Sequence, residues 1–306
     1  MNKSIEELKK GMGCIIEPIQ ETDAIFDFIF GGIKGAPVNW KQWIPLQEKQ
    51  IYIPFCVIFS RLNCAEAKAR SNGEWDLNFS DRYLGVISGT TKEGNSLNAV
   101  SEAFRTQGTV AEDKCPWKSQ DWLLAPFNHW GEIFNLSDVP ADAKKYLGGN
   151  HSYVVGGFQG IKNALQLSPI QIAVGIGDNW ETAGIVHPPT QILAYHAVQV
   201  YYASDRLFIN DSIGKQFKEL SADYPIVQAK SFADLPDNWK ELNKPMYQLI
   251  KKRGGTTVCA IIFGKNYWID SMDKITQGQK EGLFSPDIKE QDAMDINGEF
   301  RDFPLA

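Results

Sequence analysis

The chain has 306 residues, 43% of them hydrophobic and 22% charged, with a formal net charge of −6. This is the composition of a folded globular protein with enough apolar chain for a sizeable core. An acidic balance with no long basic run argues against a nucleic-acid surface, no apolar run approaches the roughly 18 residues of a membrane span, and the opening MNKSIEELKK lacks the apolar stretch of a secretory signal.

Residues 4–11 carry a short helical pattern. Residues 12–45 are rich in Gly, Pro and aromatics and read as an arm with little regular structure. Pro54 closes that stretch, and Ile58, Leu62, Ala65 and Ala69 then recur at helical spacing, with Gly73 placed to stop the helix. A second helix is expected over 97–107, LNAVSEAFRTQ, ended by Gly108. The pattern then changes. PIQIAVGI (169–176), HAVQVYYA (196–203) and RLFIND (206–211) are rich in Val, Ile and Tyr and read as strands, the last two joined by a tight turn near Ala203–Asp205. Residues 225–245 read as a polar connector, and 256–270, TTVCAIIFGKNYWID, as a hairpin with Gly264-Lys265 at its turn. The tail from Ser285 is polar and expected to be loosely held.

Five cysteines, an odd number with no CxxC pair, make neither a disulfide framework nor a zinc site. Five free thiols, no metal and no cofactor are the expectation, which suits a reducing compartment, cytoplasmic or inside a virion. Cys56 stands out because it opens a helix, where the partial positive charge of the N-terminus favours a thiolate. A nucleophilic thiol also needs a base. Of His129, His151, His187 and His196, the last begins a strand, and a tight turn after that strand brings Asp211 back beside it. A carboxylate there would fix the imidazole's tautomer and orientation. Gln50, six residues before the thiol, offers an amide to a developing oxyanion. Trp40, Trp43, Trp117, Trp122, Trp130 and Trp180 suit core packing better than a ligand groove. Cys64 reads as a core residue, and Cys14, Cys115 and Cys259 have no evident partners.

The order Gln50…Cys56…His196…Asp211 resembles the papain-like cysteine peptidases. CVIFS (56–60) is similar to that family's Cys-Trp-Ala-Phe-Ser, and GNSLNAVSEAFRTQGTVAEDKCPW (94–117) to the segment that runs from its substrate-binding glycine to Glu-Asp-x-Tyr-Pro-Tyr. SPIQIAVGI is similar to its Gly-Pro-Val-x-Val-Ala strand, HAVQVYYASDRLFINDSIG to His-Ala-Val-x-x-Val-Gly-Tyr followed by Asn-Ser-Trp-Gly, and APVNWKQW (36–43) to the start of a mature enzyme. The resemblance covers about residues 36–220.

It implies an α+β, papain-like two-lobe fold: an arm (1–35), a peptidase domain (36–225) with a helical lobe at about 45–150 and a β-rich lobe at about 151–225, and a connector with a small β-rich appendage and tail (226–306). It further implies hydrolysis of peptide or protein substrates through an acyl-enzyme on Cys56. Gly94 would pair with substrate backbone, and Ala173 and Ala197 would line the pocket for the second residue before the scissile bond. The sequence departs from the family at Ile53-Pro54-Phe55 before the thiol, at Val57, and at Asp211 and Ile213, where the family has Asn and a shielding Trp. With about 35 residues before the match, the long inhibitory propeptide of many eukaryotic relatives is not expected, and the resemblance is more to compact bacterial and phage relatives. These departures keep two alternatives open: a catalytically weak module with a binding or structural role, for instance in a phage particle, and a thiol amidase or transpeptidase acting on cell-wall peptides.

Overall fold

The computed structural model describes residues 12–26, 35–74, 77–137 and 146–232, and beyond these the segments 247–253, 256–262, 265–269, 272–273, 275–276, 284–291 and 298–299. The chain divides into two compact units, residues 1–68 with 77–236 and residues 69–76 with 237–306. The short helix expected over 4–11 lies outside the described residues.

In the first unit a two-residue strand, β1 (Cys14–Ile15), precedes helix α1 (Cys56–Ser71). Then come α2 (Asp81–Ile87), β2 (Asn95–Ser96), α3 (Leu97–Gln107), α4 (Gln120–Leu124) and α5 (Trp130–Ile133). Each helix has a local cause. Ser80 and Ser96 accept hydrogen bonds from the backbone amides of Tyr83 and Ala99, capping α2 and α3. Gly108, at φ 80°, takes the left-handed turn that ends α3 at the expected place.

Strands fill the second part: β3 (Ser152–Tyr153), then after helix α6 (Gly157–Ala164) β4 (Ile170–Ile176), β5 (Ile185–Val186), β6 (Ala194–Ala203), β7 (Arg206–Asn210), β8 (Phe217–Ser221) and β9 (Ile226–Ser231). They make one seven-stranded sheet in the order β3-β9-β4-β6-β7-β8-β5. All seven residues of β4 are buried, which is why IQIAVGI is apolar on both faces. One expectation is corrected here. The connector expected at 225–245 begins as strand β9, which pairs antiparallel with β4. Its inward positions carry Gln228 and Lys230, both buried, so its alternation looked polar. The described part of the arm has little regular structure, as expected: its two-residue strand β1 pairs in parallel with β2.

In the second unit, β10 (Tyr247–Lys252), β11 (Val258–Ile262), β12 (Lys265–Trp268), β13 (Phe284–Gln291) and β14 (Gly298–Glu299) form a five-stranded sheet in the order β13-β10-β11-β12-β14. The hairpin forms, but Lys265 pairs with Ile262 instead of turning, and Gly264 lies outside the described residues. The polar tail is not loose throughout: Phe284–Gln291 is a strand against β10. Among the described residues no helix is long and apolar enough to cross a membrane, and no group of His, Cys, Asp or Glu is placed to hold a metal.

Two side chains bind the sheet to α1. Gln171 on β4 donates to the carbonyl of Val57 at 2.8 Å and to Ser60 Oγ at 2.8 Å, while Gln199 on β6 donates to the carbonyl of Asn63 at 3.0 Å. Both glutamines are fully buried, so these bonds fix the start of α1 against the strand that carries His196. Phe55, just before that helix, packs on Gly85 of α2 so closely that a Cβ there would meet its ring. Gly85→Ala gains helix propensity but overpacks this contact. It is expected to lose about 1–3 kcal/mol, measured as a lowered melting temperature, and unchanged or raised stability would show that the ring moves aside freely.

Candidate functional site

Cys56 begins α1 and is fully buried. His196 lies in β6 opposite Val174 of β4, also fully buried, and its Nε2 is 2.7 Å from Asp211 Oδ1. The remaining ring nitrogen, Nδ1, has no nitrogen or oxygen partner, which leaves it to the thiol of Cys56. The other histidines are elsewhere. His129 meets Glu132 at 3.3 Å, His151 lies between Glu102 and Lys230, and His187 is exposed.

Asp211 follows β7 immediately and is held by four donors. Oδ1 accepts from His196 and from the Ile213 backbone amide at 3.0 Å; Oδ2 accepts from Trp180 Nε1 at 3.0 Å and from Lys218 Nζ at 2.6 Å. Burial alone would push this carboxyl up, but the positive charges of Lys218 and His196 hold it well below the usual carboxylate range. Burial likewise pulls His196 down. The Asp211 carboxylate, through its charge and its hydrogen bond, and then Cys56 more than offset this, so the imidazole is raised to about 9.

Two of these supports are invisible to motif reading. Trp180 stands edge-on to His196, ring centroids 5.7 Å apart at 85°, and shields the His–Asp contact. It does from a separate loop what the family's Trp at the position of Ile213 was expected to do. Lys218, on β8, bonds Glu181 at 2.9 Å and the carbonyl of Ile213 at 3.2 Å, and lies over the Trp180 ring. Gly214, at φ 66°, has room for no side chain, because Glu181 occupies the space a Cβ would need. The signal available in sequence was a lysine at alternate spacing to Leu220, which periodicity places on the inward face and residue type alone assigns to solvent.

Gln50 is fully buried beside the same loop. Its Oε1 accepts from Ser212 Oγ at 2.5 Å, its Nε2 donates to the carbonyl of Ile53 at 2.8 Å, and its backbone amide donates to the Ser212 carbonyl at 3.3 Å. The segment leading into α1 and the loop of Asp211 are thereby joined through one side chain. Ala173 and Ala197 are direct partners across β4 and β6, and both are buried.

Gly94 sits at the head of β2 with φ 104° and touches the backbone of Gly13, where any Cβ would collide. The backbone amide of Asn95 donates to the carbonyl of Gly13 at 2.8 Å. The short arm therefore occupies the edge expected to pair with substrate. It continues past Gln228, opposite Ala173, whose amide donates to the carbonyl of Glu17, and reaches Tyr153, whose backbone amide donates to Ala24 at 2.7 Å.

No protein-family model and no curated protein matches the sequence. Solved structures do match in shape. Xylellain, a cysteine protease from Xylella fastidiosa, superposes with a TM-score of 0.54 at 17% identity, over 72% of this chain and 94% of that one. A digestive procathepsin L 3 of Tenebrio molitor larval midgut gives 0.59 at 14% identity, over 75% and 78%. A recombinant stem bromelain precursor gives 0.56 at 12% identity, over 74% and 78%. At these identities the likeness is one of fold: the chain has the α+β fold of the papain-like cysteine proteases.

The His196–Asp211 pair has a pH signature of its own. His196 is raised above its unfolded value, so its contribution to stability is complete below about pH 6.5 and is lost as pH rises through about 9. Asp211 is lowered, so its contribution is present above the unfolded carboxylate range and lost as pH falls through its depressed folded value. Asp211→Asn is expected to lower the melting temperature most between about pH 5 and 6.5, with the gap from wild type narrowing toward pH 10. A gap independent of pH would mean that the pair is not charged in the folded protein.

Proposed function

We propose that the chain is a thiol peptidase that cleaves peptide bonds through an acyl-enzyme on Cys56. The observation that carries this reading is the buried His196, bonded to Asp211 through Nε2 and left with Nδ1 for a cysteine at a helix start, with Asp211 raising the imidazole to about 9. An imidazolium so placed stabilises the thiolate of Cys56 without a separate base. The thiolate attacks the substrate carbonyl. The oxyanion is taken up by the Gln50 side-chain amide and the Cys56 backbone N–H. His196 gives its Nδ1 proton to the departing amine, then takes one from the water that hydrolyses the thioester. Gly94 pairs with substrate backbone, and Ala173 and Ala197 leave a pocket wide enough for a bulky apolar side chain. Residues 13–17 lie where that substrate would pair, so the arm and the substrate compete for one edge.

Cys56→Ala is expected to abolish hydrolysis of a denatured protein such as casein with the fold intact. An epoxide-type thiol-protease inhibitor should label Cys56 alone among the five cysteines, as read by peptide mapping. Near-wild-type turnover by the variant would end the peptidase reading. Cleavage of peptidoglycan stem peptides without cleavage of casein would move it to a cell-wall amidase.

Gln50→Ala is expected to reduce kcat by roughly 10²-fold or more with KM little changed, because an oxyanion donor acts mainly in the transition state. A change confined to KM would instead make Gln50 a substrate-binding residue.

A further inference from the structure

Cys14 has no role in the chemistry above, yet it lies among the elements that carry it. Gly13, its neighbour, is wedged between Gly94 and Pro54, two residues before Cys56. A Cβ built on Gly13 would stand 2.5 Å from Pro54 Cβ and 2.6 Å from the Pro54 carbonyl oxygen. Cys14 itself pairs with Asn95 across β1 and β2, and β1 also runs beside β6, the strand of His196. Cys14 is 7% exposed and Cys56 is fully buried, both as free thiols. The arm thus brings a second sulfur, through Gly13, to the segment that leads into α1, the helix that begins with the sulfur proposed as nucleophile.

We propose that Cys14 and Cys56 form an oxidative modification site, in which peroxide converts the two thiols into a disulfide that fastens the arm across the cleft. The proposal rests on the reading of Cys56 as a reactive thiolate. The roles of the two sulfurs differ. Burial, and then the nearness of Cys56, push the Cys14 thiol well up, so Cys14 stays protonated and does not meet the oxidant first. The Cys56 thiolate attacks one peroxide oxygen, breaking the O–O bond, and becomes a sulfenic acid with release of hydroxide. The Cys14 sulfur then attacks the sulfenic sulfur, the S–O bond breaks, and the thiol proton leaves with the hydroxyl as water. Two electrons pass from the two sulfurs to one peroxide, and a thiol reductant reverses the step. The link would spare Cys56 from further, irreversible oxidation, because the resolving thiol is supplied by the same chain.

The test is peptide mapping of the full chain, treated with an equimolar pulse of hydrogen peroxide, alkylated, and digested without reduction. The expected result is a Cys14–Cys56 linked peptide as the main product, lost on treatment with dithiothreitol. In Cys14→Ser the same pulse should leave Cys56 as sulfenic and then sulfinic acid, several-fold more than in wild type. The proposal is overturned if wild type gives Cys56 oxygen adducts with Cys14 alkylated, if Cys56 links to Cys64 instead, or if Cys56 resists the pulse. Mapping is independent of turnover. A linked pair in a chain without peptidase activity leaves the latch standing and removes the peptidase, and activity without a linked pair does the reverse.

Discussion

The carboxylate of Asp211 is the group around which the first unit is organised. A buried carboxylate is tolerated only if its charge is compensated and its lone pairs are met, since the effective cost of burying an ion is several kcal/mol. Asp211 meets both conditions with four donors from four places: β6, the indole of Trp180, β8 and its own following turn. Those donors also determine what His196 can do. Lys218 and Trp180 occupy one oxygen, so the imidazole is held by the other in a single orientation. Lys218 also shares the negative charge, which limits how basic His196 becomes. The departure from the family's asparagine is therefore coupled to a lysine that balances it.

A second constraint places the thiol. α1 contributes Cys56 from one side of the site, and β6 contributes His196 from the other. Their alignment depends on Gln171 and Gln199, which reach from adjacent strands to carbonyls of the same helix. Asn210 continues this network, donating to Gln199 Oε1 at 2.9 Å one residue before Asp211. A shift of α1 by one residue would leave these buried amides unpaired, and each unpaired group typically costs about 1–3 kcal/mol. Gln50 closes the loop, accepting from Ser212, the residue after Asp211. Thiol, imidazole, carboxylate and amide are thus held by one connected set of buried hydrogen bonds, which is the preorganisation that electrostatic catalysis requires.

Much of this was legible in the sequence, for a physical reason. Strand β4 is apolar on both faces and β6 nearly so, helix α3 has a serine cap and a glycine stop, and the turn at Ser204-Asp205 is short and polar, so local chemistry and final structure agree. The elements that escaped reading are those where function or burial reverses the local pattern. Strand β9 hides Gln228 and Lys230 inside, β8 hides Lys218, and Trp180 takes over a shielding task from a position the family motif does not mark. Gln228, Lys230 and Trp180 are satisfied by partners far away in sequence, which no window of ten or so residues contains; Lys218 reaches Asp211 seven residues back, but only the fold turns it inward.

The arm shows the same limit from the other direction. Its two-residue strand has no periodicity to detect, and Gly13 and Cys14 carry no motif. What places them is the contact of two glycines, Gly13 and Gly94, whose backbones approach as closely as they do because neither has a side chain. The arm is held there by main-chain hydrogen bonds and also by apolar burial, since Met12 and Phe26 lie in the core cluster and Cys14 is buried. The proposed link at Cys14 would add to these contacts a covalent hold released only on reduction, without asking for any change in the fold.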